Sequence, residues 1–192
     1  FKVTSIHKRI QKKIIKKINN SFKFPVVIKP LNEGSSVGVY ICTKKNFIKN
    51  LYKLKDYNEV LVEKYIQGRE IQAAVLGKKK LGAIELIPSR KFYDYKAKYQ
   101  KNAKTKHLMP APLSQINYNK VNDIALKAHK LLKCRGVSRS DFRFYNSKFY
   151  LLELNTQPGM TSLSLVPEIA KFKNITFFKL IDFLIKDASI NR

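Results

Sequence analysis

The sequence predicts an α+β fold, in which amphipathic helices accompany short apolar strands. Apolar residues recur at helical spacing in residues 8–18 and again in 118–134. Between these segments, apolar runs of strand length are bounded by glycines, at 59–65, 70–76 and 80–87. With 192 residues, the chain is long enough for one large domain or for two small domains that share a cleft.

The N-terminal segment is predicted to form a helix followed by strand, loop and strand. Helical spacing in 8–18 places four isoleucines among lysines: Ile10, Ile14, Ile15 and Ile18. Residues 24–30 form an apolar run of strand length, and a Gly/Ser-rich loop at 32–38 leads from it into a second short apolar run. A helix is then predicted over 43–53, with Thr43 as its N-cap.

The C-terminal half begins with a polar, basic and aromatic stretch over 89–107. A stretch this long without periodicity is typical of an active-site lid or of a disordered segment. The helix that follows has one apolar stripe: Val121, Ile124, Ala125, Ala128, Leu131 and Leu132. A hairpin is predicted over 137–154 with its turn near 146–147, then a loop over 155–165 and a final helix over about 176–187.

The net charge of +26 is the strongest compositional signal. Such a charge attracts polyanions through long-range potential and counterion release. The lysines, however, are spread over nearly the whole chain and accompany abundant Ile and Asn, whose codons are also AT-rich. We favour biased base composition over dedicated nucleic-acid binding, because no nucleic-acid-binding signature accompanies the charge. A polyanion-binding protein is the alternative.

Other site classes lack support in the composition. The two cysteines, Cys42 and Cys134, are spaced neither for a disulfide framework nor for a thiolate zinc site, and the three histidines show no metal-ligand spacing. No apolar stretch is long enough to cross a membrane, so we expect a packed soluble protein. The chain starts at Phe1 without the features of a targeting signal, so we expect that an upstream piece is missing.

The predicted hairpin carries the richest chemistry, with Arg139 and Asp141 on one strand and Glu153 and Asn155 on the other. Residues two apart in a strand point to the same face. A tight two-residue turn puts the two pairs on opposite faces unless a bulge intervenes, whereas a turn with an odd number of residues pairs Asp141 with Glu153 directly.

On a common face, two carboxylates and one amide oxygen suit Mg²⁺. Salt bridges to Arg139 and nearby lysines are the alternative. We favour a metal because acids within an apolar strand need a paired charge or a metal, and three flanking residues are leucines: Leu151, Leu152 and Leu154.

Two weaker signals point to a nucleotide. Lys29 ends an apolar strand beside the Gly/Ser loop, where it can reach phosphate oxygens while the backbone of the loop approaches them. This is not a Walker A loop, and a lysine that lays its stem along apolar surface is the alternative. Residues 63–66 close one strand and Glu70 begins the next, a junction that can read an adenine edge and ribose hydroxyls. More commonly, such glutamate and lysine residues simply form the exposed edge of a strand.

Taken together, these segments resemble the D-alanine–D-alanine ligase family of the ATP-grasp superfamily. The resemblance occurs in family order and covers nearly the whole chain: Val-Ile-Lys-Pro at 27–30 with Glu-Gly-Ser-Ser-Val-Gly at 33–38, Val-Glu-Lys-Tyr-Ile at 62–66 with Gly68 and Glu70, Phe-Tyr-Asp-Tyr-Lys-Ala-Lys-Tyr at 92–99, Gly-Val-Ser-Arg-Ser-Asp at 136–141, and Leu-Glu-Leu-Asn-Thr-Gln-Pro-Gly-Met-Thr at 152–161 with Ser-Leu-Val-Pro at 164–167. The Phe-Tyr-Asp-Tyr and Asn-Thr-Gln-Pro-Gly-Met-Thr strings are the most specific.

The resemblance implies an ATP-grasp fold of two α/β subdomains with the nucleotide between them. Residues 1–88 would be the central subdomain, which binds adenine and phosphates. Residues 89–192 would be the C-terminal subdomain, with a mobile loop at 89–107 and the Mg²⁺ and D-alanine sites. The family also has an N-terminal domain, with a glutamate that positions the first D-alanine and a further ATP-contacting lysine, which finds no match here. We therefore expect this chain to bind nucleotide poorly or partially and not to turn over alone.

The resemblance also implies roles for the residues that contact ATP and its metal. The nucleotide-binding set has Lys29 and Lys98 on the phosphates, Glu70 on the ribose, and four residues around the adenine: Glu63, Lys64, Tyr65 and Ile66. The metal ligands would be Asp141, Glu153 and Asn155, which would hold a pair of Mg²⁺ (or Mn²⁺) ions.

For the chemical step, Arg139 and the Gly159 N–H would stabilise an oxyanion, and a closing loop would bring Tyr99 toward Ser35. Ser164 and the Leu165 backbone would hold the second substrate's carboxylate. The implied activity is ATP-dependent ligation of two D-alanines through an acyl phosphate, for peptidoglycan synthesis. The implied protein is cytoplasmic and a homodimer when full length, with no specific nucleic acid and no membrane partner.

Two further alternatives stay open. One is a ligase that takes D-lactate or D-serine as second substrate, although Tyr99 resembles the enzymes that use an amine. The other is a non-catalytic nucleotide-binding fragment.

Overall fold

A computed structural model describes residues 8–57, 59–88, 105–161 and 163–188. These residues form five helices and eight strands. The helices are α1 (Lys8–Ser21), α2 (Phe47–Tyr52), α3 (Gln115–Leu131), α4 (Leu165–Phe172) and α5 (Phe177–Asp187). The strands are β1 (Val26–Pro30), β2 (Tyr40–Cys42), β3 (Val60–Lys64), β4 (Arg69–Leu76), β5 (Lys79–Ile87), β6 (Lys106–Leu108), β7 (Val137–Tyr145) and β8 (Lys148–Asn155).

The described residues divide into two compact units, each with its own sheet. The first takes the residues up to Ile66 together with Pro88, and the second takes Gln67–Ile87 and the residues from Thr105 onward. This division differs from the boundary predicted at residue 88. Strands β4 and β5 belong to the second unit because β4 pairs with β7 as well as with β5.

The first unit contains a three-stranded antiparallel sheet in the order β2-β1-β3. Alternate residues of β1 are buried, which is the pattern of a strand with one face on a core. Helix α1 contributes Ile14 and Ile18 to that core, and α2 contributes Phe47 and Leu51. The N-cap of α2 is Asn46 rather than the predicted Thr43, whose N–H donates to Asn46 Oδ1 at 2.8 Å.

The second unit contains a five-stranded antiparallel sheet in the order β6-β5-β4-β7-β8. Helix α3 packs against it through a face that buries Val121, Ala125 and the polar residues Asn122 and His129. The predicted apolar stripe was therefore wrong at its C-terminal end: Leu131 and Leu132 are exposed because the helix ends at residue 131.

Two short elements, α4 and β6, were not predicted. Helix α4 has only eight residues and contains Pro167, and β6 has three residues within the stretch predicted as a loop. None of the described helices has the length and apolarity that crossing a bilayer requires. Most of the predicted loop at 89–107, including Lys98 and Tyr99, lies outside the described residues.

Candidate functional site

The β7–β8 hairpin resolves the question of register that the sequence left open. Its turn has two residues, Asn146 and Ser147, both with positive φ (47° and 57°), as a tight hairpin turn requires. Asp141 nevertheless pairs with Glu153, and Arg139 pairs with Asn155, because the register shifts after Asp141. The shift leaves one extra residue in β8, Leu152, which forms the bulge that the prediction required.

With this register, the four side chains converge on one face. Arg139 donates from Nε to Asp141 Oδ1 at 2.7 Å and from Nη2 to Oδ2 at 3.0 Å. The Asn155 amide lies 3.5 Å from Asp141 Oδ2 and 3.4 Å from Glu153 Oε1. Arg139 and Asp141 are largely buried, whereas Glu153 is exposed. The arrangement is therefore an anchored carboxylate with a second, more accessible carboxylate beside it.

One argument for a metal was wrong. Of the three leucines whose apolar character supported it, Leu151 and Leu152 are exposed and Leu154 is half-buried, on the edge strand of the sheet. Glu153 therefore has no burial penalty that a metal must relieve. The case for a metal depends on convergence alone.

The donor set fits a hard cation. Among the described residues, no three His, Cys, Asp or Glu side chains are grouped to hold a metal ion. The predicted set has two carboxylates and one carboxamide, and these lie within hydrogen-bond reach of one another. Oxygen donors of this kind suit Mg²⁺, which fills its remaining positions with water and phosphate.

The register extends this cluster across the sheet. Paired residues of neighbouring strands share a face, so β4 places Gln72 beside Asp141 and Glu70 beside Arg143. We call the face that carries Glu70, Gln72, Arg139, Asp141, Arg143, Glu153 and Asn155 the polar face. Glu70, predicted to bind ribose, lies 3.8 Å from Arg143 Nη2 in a largely buried ion pair.

In the first unit, Lys29 contacts another predicted site residue. Its Nζ lies 2.7 Å from Glu63 Oε2, with 27% and 39% of the two side chains exposed. The pairing follows from register, because Val27 opposite Glu63 is two residues from Lys29 on the same face. Lys64 is exposed, Tyr65 and Ile66 are half-buried, and the Tyr65 N–H donates to Pro25 O at 3.3 Å. The prediction that Lys29 enters the same pocket as Asp141 stays a prediction.

The Gly/Ser loop is held in a tight conformation. Ser35 and Ser36 have positive φ (52° and 62°), as does Gly38 (68°). A Cβ on Gly38 would lie 2.8 Å from Pro30 Cγ, so only glycine fits against β1 at that point. Partial burial and a hydrogen bond to the Glu33 carboxylate raise the pKa of the Tyr57 hydroxyl.

The predicted substrate residues meet at the start of α4. Ser164 is the N-cap of this helix, but its Oγ accepts from the Thr161 N–H at 2.9 Å instead of from a helical N–H. A Cβ on Gly159 would lie 3.0 Å from that Oγ, so the Gly159 backbone passes close to it. Leu165, the first residue of the helix, is buried. The first N–H groups of α4 therefore donate no hydrogen bond to the Ser164 side chain.

Sequence reasoning missed a pair that fixes this helix to the sheet. His107 Nδ1 lies 2.7 Å from Glu168 Oε2, joining β6 to α4. The two residues are 61 positions apart and their elements were not predicted, so no local signal links them. Lys98 and Tyr99 belong to the same predicted site but lie outside the described residues.

A comparison with protein families matches residues 2–186 to the family described as "D-ala D-ala ligase C-terminus". Among curated proteins, the chain is similar to the D-alanine–D-alanine ligase of Pelagibacter ubique. The two are 64% identical over 186 residues, which are 97% of this chain and 61% of the relative. The chain thus spans less than two thirds of that relative's length.

Solved structures give the same likeness in fold. The crystal structure of the Bacillus anthracis D-alanine–D-alanine ligase complexed with ATP aligns with a TM-score of 0.73 and 30% identity, over 94% of this chain and 65% of that chain. The VanG D-Ala:D-Ser ligase of Enterococcus faecalis aligns with a TM-score of 0.79 and 30% identity, over 94% of this chain and 54% of that chain. The α+β ATP-grasp fold expected from the sequence is thereby confirmed.

Proposed function

This chain belongs to the D-ala D-ala ligase C-terminal family, and from that premise we propose that it carries the ATP- and metal-binding part of an enzyme joining two D-alanines. The observation that carries the proposal is the convergence of Asp141, Glu153 and Asn155 beside Arg139 in one hairpin. The names of the relatives support the choice of substrate, and the ATP complex of the B. anthracis enzyme supports the choice of nucleotide.

The proposed reaction has two steps. The carboxylate of the first D-alanine attacks the γ-phosphorus of ATP and ADP leaves, which gives an acyl phosphate. The amine of the second D-alanine attacks the acyl carbon, inorganic phosphate leaves, and the amine loses a proton to form the peptide. Mg²⁺ or Mn²⁺, when bound, would neutralise phosphate charge and orient the transferring group.

Within this proposal, Asp141, Glu153 and Asn155 hold the metal, and Arg139 fixes the orientation of Asp141. Lys29 exchanges its partner Glu63 for a phosphate oxygen. The exchange costs little, because both side chains are partly exposed and such pairs contribute at most about 1 kcal/mol. Lys98 is the second proposed phosphate ligand.

The nucleoside is assigned to the ends of β3 and β4. Glu63, Lys64, Tyr65 and Ile66 frame the adenine, since the backbone after Lys64 leaves the β1–β3 ladder. Glu70 accepts the ribose hydroxyls, with Arg143 holding its carboxylate in place.

We assign the site of the second D-alanine to the start of α4. A helix N-terminus without a side-chain cap attracts a carboxylate through its backbone N–H groups and its dipole, which suits the carboxylate of the second D-alanine at Ser164 and Leu165. Arg139 and the Gly159 N–H stabilise the oxyanion formed when the amine attacks. Contact between Ser35 and Tyr99 is proposed to exclude water from the acyl phosphate.

The oligomeric state and location belong to the same proposal. We propose a cytoplasmic homodimer at full length, with no specific nucleic-acid partner and no membrane partner. Sedimentation in the presence and absence of a DNA duplex at physiological salt tests the homodimer and the absence of a nucleic-acid partner, and sedimentation with lipid vesicles tests the absence of a membrane partner.

The test of function uses this chain alone and a chimera. In the chimera, the chain follows the N-terminal part of the P. ubique ligase that the match leaves out. We expect the chimera to release ADP and form D-alanyl-D-alanine from ATP, Mg²⁺ and D-alanine, measured by mass spectrometry. D-serine and D-lactate are offered as competing second substrates. A chimera that folds yet forms no dipeptide, or prefers D-lactate, would overturn the proposal.

A further inference from the structure

The polar face contains a buried amide that no proposed role uses. Gln72 lies in the middle of β4 and is 2% exposed. Its Oε1 is fully buried and has no hydrogen-bond partner among the described residues. Burying an acceptor without a partner is unfavourable, so such an atom in a native site calls for a ligand or a water that supplies the missing donor.

The register places Gln72 beside the proposed metal site. Gln72 pairs with Asp141 of β7, and Asp141 pairs in turn with Glu153 of β8, so the three side chains form one row. On its other side, Gln72 pairs with Ile84 of β5, which has no polar side-chain atom. Glu70, two residues away on β4, carries the proposed ribose contact on the same face.

Neither of the described side chains that pair with Gln72 in the sheet, Ile84 and Asp141, offers a hydrogen-bond donor. Asp141 is a carboxylate that already accepts two hydrogen bonds from Arg139. Away from the polar face, the described part of the chain has two other buried side chains with an unpaired oxygen, Asn122 on α3 and Ser140 on the opposite face of β7. Gln72 thus combines an unpaired acceptor with a place in the metal row.

We propose that Gln72 is a positioning residue for the metal–nucleotide complex: its Oε1 accepts a hydrogen bond from an O–H group of that complex. Two sources supply such a donor, a water on the metal held by Asp141 or a ribose hydroxyl near Glu70. The inference rests on the proposed function and adds to it a contact that orients the complex on the polar face.

The test compares two isosteric replacements in the chimera. Gln72→Met removes the acceptor, and Asn122→Leu removes a buried amide of the same kind away from the polar face. Calorimetry measures ADP binding with Mg²⁺, ADP binding with EDTA, and binding of 2′,3′-dideoxy-ADP with Mg²⁺. Circular dichroism checks that both variants fold.

We expect Gln72→Met to weaken Mg²⁺–ADP binding by roughly 3- to 10-fold, the effect of one hydrogen bond, and Asn122→Leu to leave it unchanged. If the loss of affinity in Gln72→Met disappears with EDTA, the donor is a metal-bound water. If it disappears with the dideoxy nucleotide, the donor is a ribose hydroxyl.

The role of Gln72 would be overturned if Gln72→Met binds Mg²⁺–ADP within about twofold of wild type, or if Asn122→Leu loses as much affinity. It would also be overturned if the loss of affinity in Gln72→Met persists both with EDTA and with the dideoxy nucleotide. If the wild-type chimera itself fails to bind Mg²⁺–ADP, the proposed function fails instead.

Discussion

The ion pair between Arg69 and Glu85 joins β4 to β5 beneath the polar face. Arg69 donates from Nε at 2.7 Å and from Nη2 at 2.6 Å to the two Glu85 oxygens, and from Nη2 to Pro112 O at 2.9 Å. The Glu85 side chain is only 7% exposed, whereas Arg69 is 37% exposed. The hydrogen bonds to Glu85 raise the pKa of the Arg69 guanidinium, so Arg69 stays charged.

Arg69→Met should leave a buried carboxylate without its partner. Removing one partner of a fully buried pair costs roughly 3–5 kcal/mol, and the exposure of Arg69 reduces our expectation to about 2–3 kcal/mol. Glu85→Leu should cost less, about 1 kcal/mol, because Arg69 can turn to water. The double variant should recover most of the loss, since no unpaired charge remains.

The assay is urea unfolding followed by circular dichroism, because the chain has no tryptophan. The matched control is the exposed pair Lys80–Asp123, at 2.8 Å in the same unit, whose double-mutant cycle should give less than about 1 kcal/mol. If the Arg69 and Glu85 losses simply add, or if the control cycle is equally large, the reasoning from burial is wrong.

Two further predictions concern stability. Burial lowers the pKa of His129, whose Nδ1 lies 2.7 Å from Ser138 Oγ. Below about pH 6.5, the unfolded chain therefore binds a proton at His129 that the folded chain does not bind. Stability should therefore fall with decreasing pH by up to about 1.4 kcal/mol per unit, and His129→Gln should flatten this slope in unfolding titrations between pH 5 and 7; equal slopes would contradict this account. Gly68→Ala should cost at least about 3 kcal/mol, because φ is 106° and the new Cβ would lie 2.2 Å from Phe144 O. Thermal unfolding at near-wild-type temperature would refute that estimate.

Much of the fold follows from local patterns. The strands at 60–64, 69–76 and 79–87 and the hairpin at 137–155 lie within a residue or two of their predicted positions, because apolar runs and turn residues agree there. Helix α4 escaped prediction because eight residues containing a proline give too little periodicity. The prediction that Leu131 and Leu132 belong to the buried stripe of α3 was wrong because periodicity does not show where a helix ends or leaves the sheet.

The candidate site was predictable in its residues more than in its contacts. Motif strings indicated Asp141, Glu153 and Asn155, but their convergence required a bulge at Leu152 that no local signal specifies. Gln72 and the His107–Glu168 pair depend on pairings between distant segments, so neither could be derived from spacing alone.

The central claim is that Asp141 and Glu153 hold a divalent metal together with ATP. Electron paramagnetic resonance of Mn²⁺ with a non-hydrolysable ATP analogue measures this in the chimera. We predict that wild type immobilises Mn²⁺ and that the double variant Asp141→Asn, Glu153→Gln, folded by circular dichroism, does not. Undiminished Mn²⁺ binding in the double variant would contradict the account.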